Sequence, residues 1–432
     1  MLNMNGWGRV LNLPKYQTKW LFGDLCFADI QTVSNKGRVD MKKMNYFRLP
    51  QGTIQPLAEK FGTPLLVLSL AQIEYSYRFL QSYMPRVKIH YAVKANPDTH
   101  IVKKIAELGG SFDVASDGEI NNLHAMGIDG SRQLYANPFK TAAGLAACKR
   151  AGVRRFTLDS EGEVEKIAKI MPGAQVLIRV RVDNTDAIVD LNKKFGADPQ
   201  KILALIRSAD KAGLDVAGLC FHVGSQSLSS APYLSALERT KTLFDLAEKE
   251  GFSLRVLDIG GGYPVPSMTD DIDIAGILSE INCALDKLFP DKELWSEPGR
   301  FICGTATNML TKVIGVTERN NQTWYILDDG VYGVFSGVLF DHWDYELISY
   351  KEGLPIPATF AGPSCDSLDV ICCDRLTVPL EMDDILVVPI CGAYSSASAT
   401  TFNGFSVATT IIWEDVQEEF NENNGLCFAS AV

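Results

Sequence analysis

No run of 18 apolar residues occurs in the chain, so nothing in it reads as a membrane-spanning helix. Positive charge is short: 41 Lys and Arg stand against 52 Asp and Glu, a net charge of −11. Nucleic acid demands clustered positive charge against its phosphates and is excluded as the main partner, whereas a cationic small molecule suits the balance. Histidine is scarce, at five residues, with no HExxH and no Cys/His cluster, so no metal site is expected. The ten cysteines are scattered without a CxxC, and Cys220 and Cys391 sit inside apolar runs as small hydrophobes. That usage predicts a reducing, cytoplasmic setting. The opening stretch, MLNMNGWGRVLNLPKYQTKW, has neither the apolar core of a signal peptide nor a clear transit-peptide composition. Residues 1–40 show no helical or alternating period and read as an extension of unknown role ahead of the folded unit.

What is present is a beat. Eight short apolar runs recur, each followed by a helical pattern: VKIHYAVK (87–94), FDVAS (112–116), QLYAN (133–137), RFTLDS (155–160), QVLIRV (175–180), GLCFHV (218–223), LRVLDIGGG (254–262) and LWSEPG (294–299). In EGEVEKIAKIM, Val164, Ile167 and Ile170 fall at helical spacing, and Ser160 with Glu163 predicts a capping box at its start. Near-continuous apolar strands alternating with helices predict a parallel sheet, and eight units make a (β/α)8 TIM-like barrel. A doubly wound open sheet is the competing reading, without a GxGxxG to support it.

The pattern changes after about residue 308. TWYILDDGVYGVFSGVLF, ATFAGPSCDSLDVICC, DDILVVPICGAY and FSVATTIIWED are strand-like, which predicts a second, mostly β domain. The segment NYFRLPQGTIQPLAEKFGTPLLVLSL is expected to pack against the first barrel strand, and the acidic end EDVQEEFNENN to form a solvated helix or tail. The division expected is an extension over 1–40, a barrel over 69–308, and a β-rich domain of 41–68 with 309–432.

In such a barrel, chemistry gathers at the C-terminal strand ends. Read in order, these carry Lys94, Asp113 with Ser116, Asn137, Asp159, Arg179, His222, Gly260 to Gly262, and Glu297 with Arg300. One costly polar ending on an apolar strand means little; eight in register are hard to explain by packing. Lys94 closes its strand where its amine should be partly desolvated and its pKa lowered, as a Schiff-base nucleophile requires. Gly260, Gly261 and Gly262 allow backbone N–H groups to approach a phosphate, although a tight turn would use them equally well. Glu297 and Arg300 read as a structural ion pair or as a carboxylate and a guanidinium beside that nest. His222 reads as a core histidine or as a ring stacked on a flat ligand. Glu119 reads as the partner of Ser116 in a capping box. A lysine trap, a phosphate nest and a carboxylate for a pyridinium nitrogen are the parts of a pyridoxal phosphate site.

HYAVKANP, FDVAS, YANP, FHVGSQ, DIGGGYP, EPGRF, DDGVYGVFSGVLFDH, GPSCDSLD and GAYSSASATTFNGF, in this order from about residue 44 to about 415, resemble the fold-type III pyridoxal phosphate-dependent ornithine/lysine decarboxylases. The resemblance implies an alanine racemase-like barrel and β domain, and an activity that makes putrescine or cadaverine in polyamine biosynthesis. By it Lys94 would hold pyridoxal 5'-phosphate covalently, Glu297 would face the pyridine nitrogen and His222 would stack on the ring. Gly260, Gly261, Gly262, Ser225, Arg300 and Tyr394 would bind the phosphate, with Asp113 and Arg179 lining the cofactor side. It further implies a homodimer with shared active sites. Cys365 of the second subunit would protonate the product carbanion, and Asp366 from there, with Asp341 at home, would pair the substrate's distal ammonium beside Tyr332.

Two carboxylates select an ammonium by charge pairing, so a basic amino acid is the expected substrate. Diaminopimelate decarboxylases usually show Cys-Glu-Ser where this chain has Cys365-Asp366-Ser367. KANP after the lysine and DHWDY after the glycine-rich strand look more like the bacterial enzymes that accept lysine as well as ornithine. The competing readings are a diaminopimelate or arginine decarboxylase of the same fold, and a non-catalytic regulator resembling the antizyme inhibitors.

Overall fold

The structure, a computed structural model, describes residues 44–182, 187–189, 194–266 and 272–422. The expected extension over 1–40 lies outside the described residues. The eight apolar runs form eight strands: β1 (Val87–Ala92), β2 (Ser111–Val114), β3 (Gln133–Tyr135), β4 (Arg155–Leu158), β5 (Gln175–Arg179), β6 (Asp215–Cys220), β7 (Val256–Asp258) and β8 (Glu293–Ser296). They pair in parallel, in sequence order, and β8 closes the barrel onto β1 with Leu294 opposite Val87.

Burial on both faces explains the near-continuous apolar strands. Leu134, Ala136, Leu177, Ala217, Val256 and Trp295 cluster in the lumen, while Tyr135, Phe156, Ile178, Leu219 and Leu257 meet the surrounding helices. Trp295 and the fully buried His90 lie 4.7 Å apart between ring centroids and pack the lumen beneath the strand ends. Burial drives the His90 imidazole down to a pKa of about 3, so it is neutral there. With the floor filled, the C-terminal mouth is where a cavity can open.

The helix Glu161–Ile170 starts where its sequence predicts, but the capping box does not form. Glu163 is buried, ion-paired to Lys166, 3.7 Å from the Lys140 ammonium, and accepts the Lys140 N–H at 3.2 Å. Two cations hold a carboxylate more strongly than one neutral backbone N–H.

The second sheet runs Val370–Thr377, Ile356–Ala361, Gln322–Leu327, Thr307–Arg319, Leu65–Leu68, Thr409–Ile412, with Ile385–Val388 also paired to Thr307–Arg319. Leu65–Leu68, from the segment expected to pack against the first barrel strand and assigned to the β-rich unit, pairs antiparallel with residues 307–310 of that sheet. All four of its residues are buried, Leu66 in one apolar cluster and Leu65 and Val67 in another. Such a strand needs a central position, and a closed barrel has no free edge to offer it. The segment read as strand-like through Phe340 is a strand only to Leu327, after which Val334–Ser336 and Gly337–Phe340 turn helically. The buried carboxylate of Asp329 accepts the N–H groups of Gly330 at 2.6 Å and Val334 at 3.1 Å and folds the chain back.

The acidic end is not simply solvated. In the helix Trp413–Glu422, Trp413 and Phe420 join a buried cluster. Glu414 accepts the N–H groups of Leu70 at 3.0 Å and Ala71 at 2.9 Å, an anion on the N-terminus of the helix Leu70–Tyr83.

Candidate active site

A cavity of about 340 Å³ opens at the barrel mouth. Lys94, Asp113, Arg179, His222, Ser225, Gly262, Glu297, Arg300, Asp341 and Tyr394 all line it. The barrel register assembles them: Ala92 of β1 lies opposite Asp113 of β2, so the lysine two residues later hangs over that carboxylate. Lys94 Nζ is ion-paired to Asp113, which is 1% exposed.

This pairing reverses one expectation. Burial does depress the Lys94 ammonium, but the carboxylates of Asp113 and Glu297, with Tyr394, outweigh it and leave the pKa raised. The lysine is therefore a cation beside Asp113 and must surrender a proton before it can act as a nucleophile. Glu297 is pushed well above the carboxylate range by burial and by the neighbouring acids Asp258 and Asp113, against the pull of Lys94 and Arg179. Asp258, at the end of β7, is likewise raised by burial, and its carboxyl is hydrogen-bonded to that of Glu297. Burial and their mutual repulsion thus favour a proton on this acid pair, and Glu297, the member that lines the cavity, would meet a basic ring nitrogen.

His222 is neutral, its pKa well below the ordinary imidazole value because of burial and the cations Arg179 and Lys94. Its Nδ1 accepts the Gly224 N–H at 3.0 Å, which puts the remaining ring proton on Nε2. Gly262 has φ +103°, and a Cβ on it would collide with the Gly224 carbonyl. Among the described residues the N–H groups of Gly261 and Gly262 make no hydrogen bond, whereas that of Gly260 is bound to Asp258 Oδ1 at 2.9 Å. Gly260 and Gly261 do not line the cavity. Buried Arg179 Nη2 and Arg300 Nε also lack acceptors among the described residues. Tyr394 adopts a left-handed φ of +54°, fixed by its N–H on the Ala95 carbonyl at 2.8 Å; strain of this kind gathers at functional sites. A flat pyridine carrying a phosphate fits this donor set: a lysine, a proton-holding acid pair, and donors without acceptors.

Cys365, Asp366 and Tyr332 are not in this cavity. They group on the sheet domain, where Tyr332 Oη donates to Asp366 and the Tyr332 ring stacks on Phe402 with centroids 4.2 Å apart. Cys365 is exposed, its N–H held by Asn403 Oδ1 at 3.0 Å. Asp341 is in the cavity but ion-paired to Arg300 rather than standing free. Ser116 caps the helix Asp117–Ala125 through the Glu119 N–H at 3.3 Å, while the Glu119 carboxylate reaches back to the Ala115 N–H at 2.6 Å, one residue short of a capping box. Phe195, Tyr263 and Phe301 line the cavity without a polar signal to mark them, and Asp258 was marked only by ending an apolar strand.

A family model described as pyridoxal-dependent decarboxylase, pyridoxal binding domain, matches residues 70–304. A lysine/ornithine decarboxylase of Selenomonas ruminantium is 50% identical over 376 residues, covering 87% of this chain and 96% of that protein. A crystal structure of lysine decarboxylase from Selenomonas ruminantium superposes with a TM-score of 0.84 at 49% identity, covering 88% of this chain and 100% of that one. The lysine/ornithine decarboxylase of Vibrio vulnificus, solved with cadaverine, gives a TM-score of 0.79 at 36% identity over 83% of this chain and 97% of that one. With the barrel, the sheet domain and the lysine-centred cavity they accompany, these matches show that the chain belongs to the fold-type III pyridoxal phosphate-dependent ornithine/lysine decarboxylase family.

Proposed function

We propose that this chain decarboxylates L-ornithine to putrescine and L-lysine to cadaverine, with pyridoxal 5'-phosphate held at Lys94. The observation that carries the proposal is the convergence, in one cavity, of a paired lysine, the Glu297 carboxyl and unpartnered donors. When bound, the cofactor supplies a ring that takes up the electron pair left by the departing CO2.

The chain's own residues do the rest. Asp113 orients Lys94 over the cavity through their ion pair. Glu297, backed by Asp258, holds a proton at the ring nitrogen. Neutral His222 stacks on the ring without adding charge. Gly262, Ser225, Arg300 and Tyr394 hold the phosphate, Gly260 and Gly261 shape the turn that presents Gly262, and Arg179 lines the cofactor side. Asp341 and Asp366 pair the substrate's distal ammonium beside Tyr332, and Cys365 delivers the proton that replaces CO2.

We assign Cys365 and Asp366 to a second copy of the chain, in a homodimer with shared sites. The exposed position of Cys365 favours this reading, with Leu368 64% and Phe405 43% exposed on neighbouring segments; apolar surface of this kind is suited to being covered. The division into a barrel over 69–308 and a β-rich unit of 41–68 with 309–432 is likewise our proposal, supported by the sheet to which Leu65–Leu68 pairs. No helix among the described residues is long and apolar enough to cross a membrane. We place the chain in the cytoplasm, a reading that the unbridged cysteines among the described residues favour.

The test is turnover by the cofactor-loaded protein of ornithine, lysine, arginine and diaminopimelate, measured as CO2 and amine released. Ornithine and lysine should both be consumed. Turnover of arginine or diaminopimelate with neither of these would overturn the assignment.

A further inference from the structure

We infer that Arg300 is shared between two subsites, so that an anion on its open side and a diamine cation on Asp341 favour each other's binding. The inference rests on the proposed function in taking a diamine as the cation. The Arg300 guanidinium lies 4.8 Å from the ring centroid of Trp343 and 5.0 Å from that of Tyr394. Two aromatic faces fix it in place. Its side chain is 8% exposed, it is ion-paired to Asp341, and its Nε has no acceptor among the described residues. The unpartnered Gly262 N–H belongs to the same cavity lining. The cavity thus offers donors waiting for acceptors, and the guanidinium that contributes one of them also holds a carboxylate.

The turn that carries the carboxylate also carries the ring that pins the guanidinium. Asp341 and Trp343 donate their N–H groups to one carbonyl, that of Gly337, at 2.9 and 3.0 Å. This gives the DHWDY segment a role: it seats Trp343 beneath Arg300 and Asp341 beside it.

In this arrangement Asp341 is not free for an ammonium, because it neutralises Arg300. An anion that accepts from Arg300 satisfies the guanidinium, weakens its hold on Asp341, and lets that carboxylate turn to a cation. Coupling between two ligands is reciprocal: whatever factor the anion adds to diamine affinity, the diamine adds to anion affinity. The distal subsite is therefore conditional, weak for diamines until the anion site is filled.

The experiment uses the full chain freed of cofactor, with inorganic phosphate and cadaverine as probes. Cadaverine is titrated calorimetrically with and without saturating phosphate, at ionic strength matched with sodium chloride. Phosphate should tighten cadaverine about five- to tenfold, and saturating cadaverine should tighten phosphate by the same factor. In Asp341→Asn, and in Asp341→Ser as a second variant, cadaverine should bind more weakly and the factor should fall to about one. A wild-type factor of one or less, no cadaverine binding in either condition, or a factor that persists in both variants would each overturn the inference. Failure of the functional proposal shows elsewhere, as absent turnover of ornithine and lysine by the loaded protein.

Discussion

The barrel mouth and the Tyr332–Cys365–Asp366 group carry comparable chemistry in opposite surroundings. At the mouth, Lys94, Asp113, Glu297, His222 and Arg300 converge from four strand ends on one cavity. On the sheet domain, Asp366 caps its own loop by accepting the Leu368 N–H at 2.9 Å, and Cys365 stands exposed near uncovered apolar side chains. Polar groups that converge on a cavity make a site within one chain. Polar groups beside exposed apolar surface resemble half of an interface, whose complement must come from elsewhere.

The comparison breaks most sharply at Lys94. Lys94→Ala should abolish measurable turnover and remove the visible absorbance of the lysine-linked cofactor, with the far-ultraviolet circular dichroism unchanged. Turnover near wild type would take Lys94 out of the mechanism and leave the mouth without its central group.

The next effect belongs to the other region. Asp366→Asn should lower kcat/KM for ornithine and lysine by roughly ten- to a hundredfold, the usual cost of losing a charge-assisted contact to a buried cation. Its preference for lysine over neutral norleucine should shrink at the same time. If the preference is untouched and only thermal stability falls, Asp366 is a turn residue and the sheet-domain group has no part in substrate recognition.

The smallest effect sharpens the electrostatic side of the mouth. Burial, with Asp113 adding to it, pushes the half-buried Glu119 carboxyl up from 4.5 to about 7. The folded protein keeps this proton over a range where the unfolded chain has released it. The stability involved is therefore full below about pH 4.5 and lost as pH rises through 7. Glu119→Gln removes the penalty, so in cofactor-free protein it should raise the melting temperature by a few degrees at pH 8 and change it little at pH 5. Equal shifts at both pH values would mean that the carboxyl is not held protonated.

These cases also show what was legible in the sequence. All eight barrel strands were, because burial on both faces writes an apolar run that needs no partner to be recognised. The charge of Lys94 was not, because the residue that sets it, Asp113, is brought alongside by register. Glu163 failed as a cap in part for the same reason, since beside the local Lys166 its other cationic partner, Lys140, stands 23 residues away. The helix Leu70–Tyr83 is capped locally by Ser69, which accepts the Gln72 N–H at 3.2 Å, but its second acceptor, Glu414, stands over 340 residues along the chain and no local pattern announces it. The strand Thr307–Arg319 hid because its pattern shifts along its length. One half is buried beside Leu65–Leu68; the other turns outward past the irregularity between Val313 and Gly315.

Under the proposed function the two regions meet only between copies of the chain. Inactive Lys94→Ala protein mixed with inactive Cys365→Ala protein tests it most directly, with subunit exchange verified by a mass-tagged partner. A mixed dimer then holds one site with both residues altered and one with both intact. Random exchange should restore up to about a quarter of the sites, in proportion to the mixed dimers formed. Recovery at that level would place Lys94 and Cys365 on different copies; proven exchange with no recovery would contradict the account and put both residues in one chain's site.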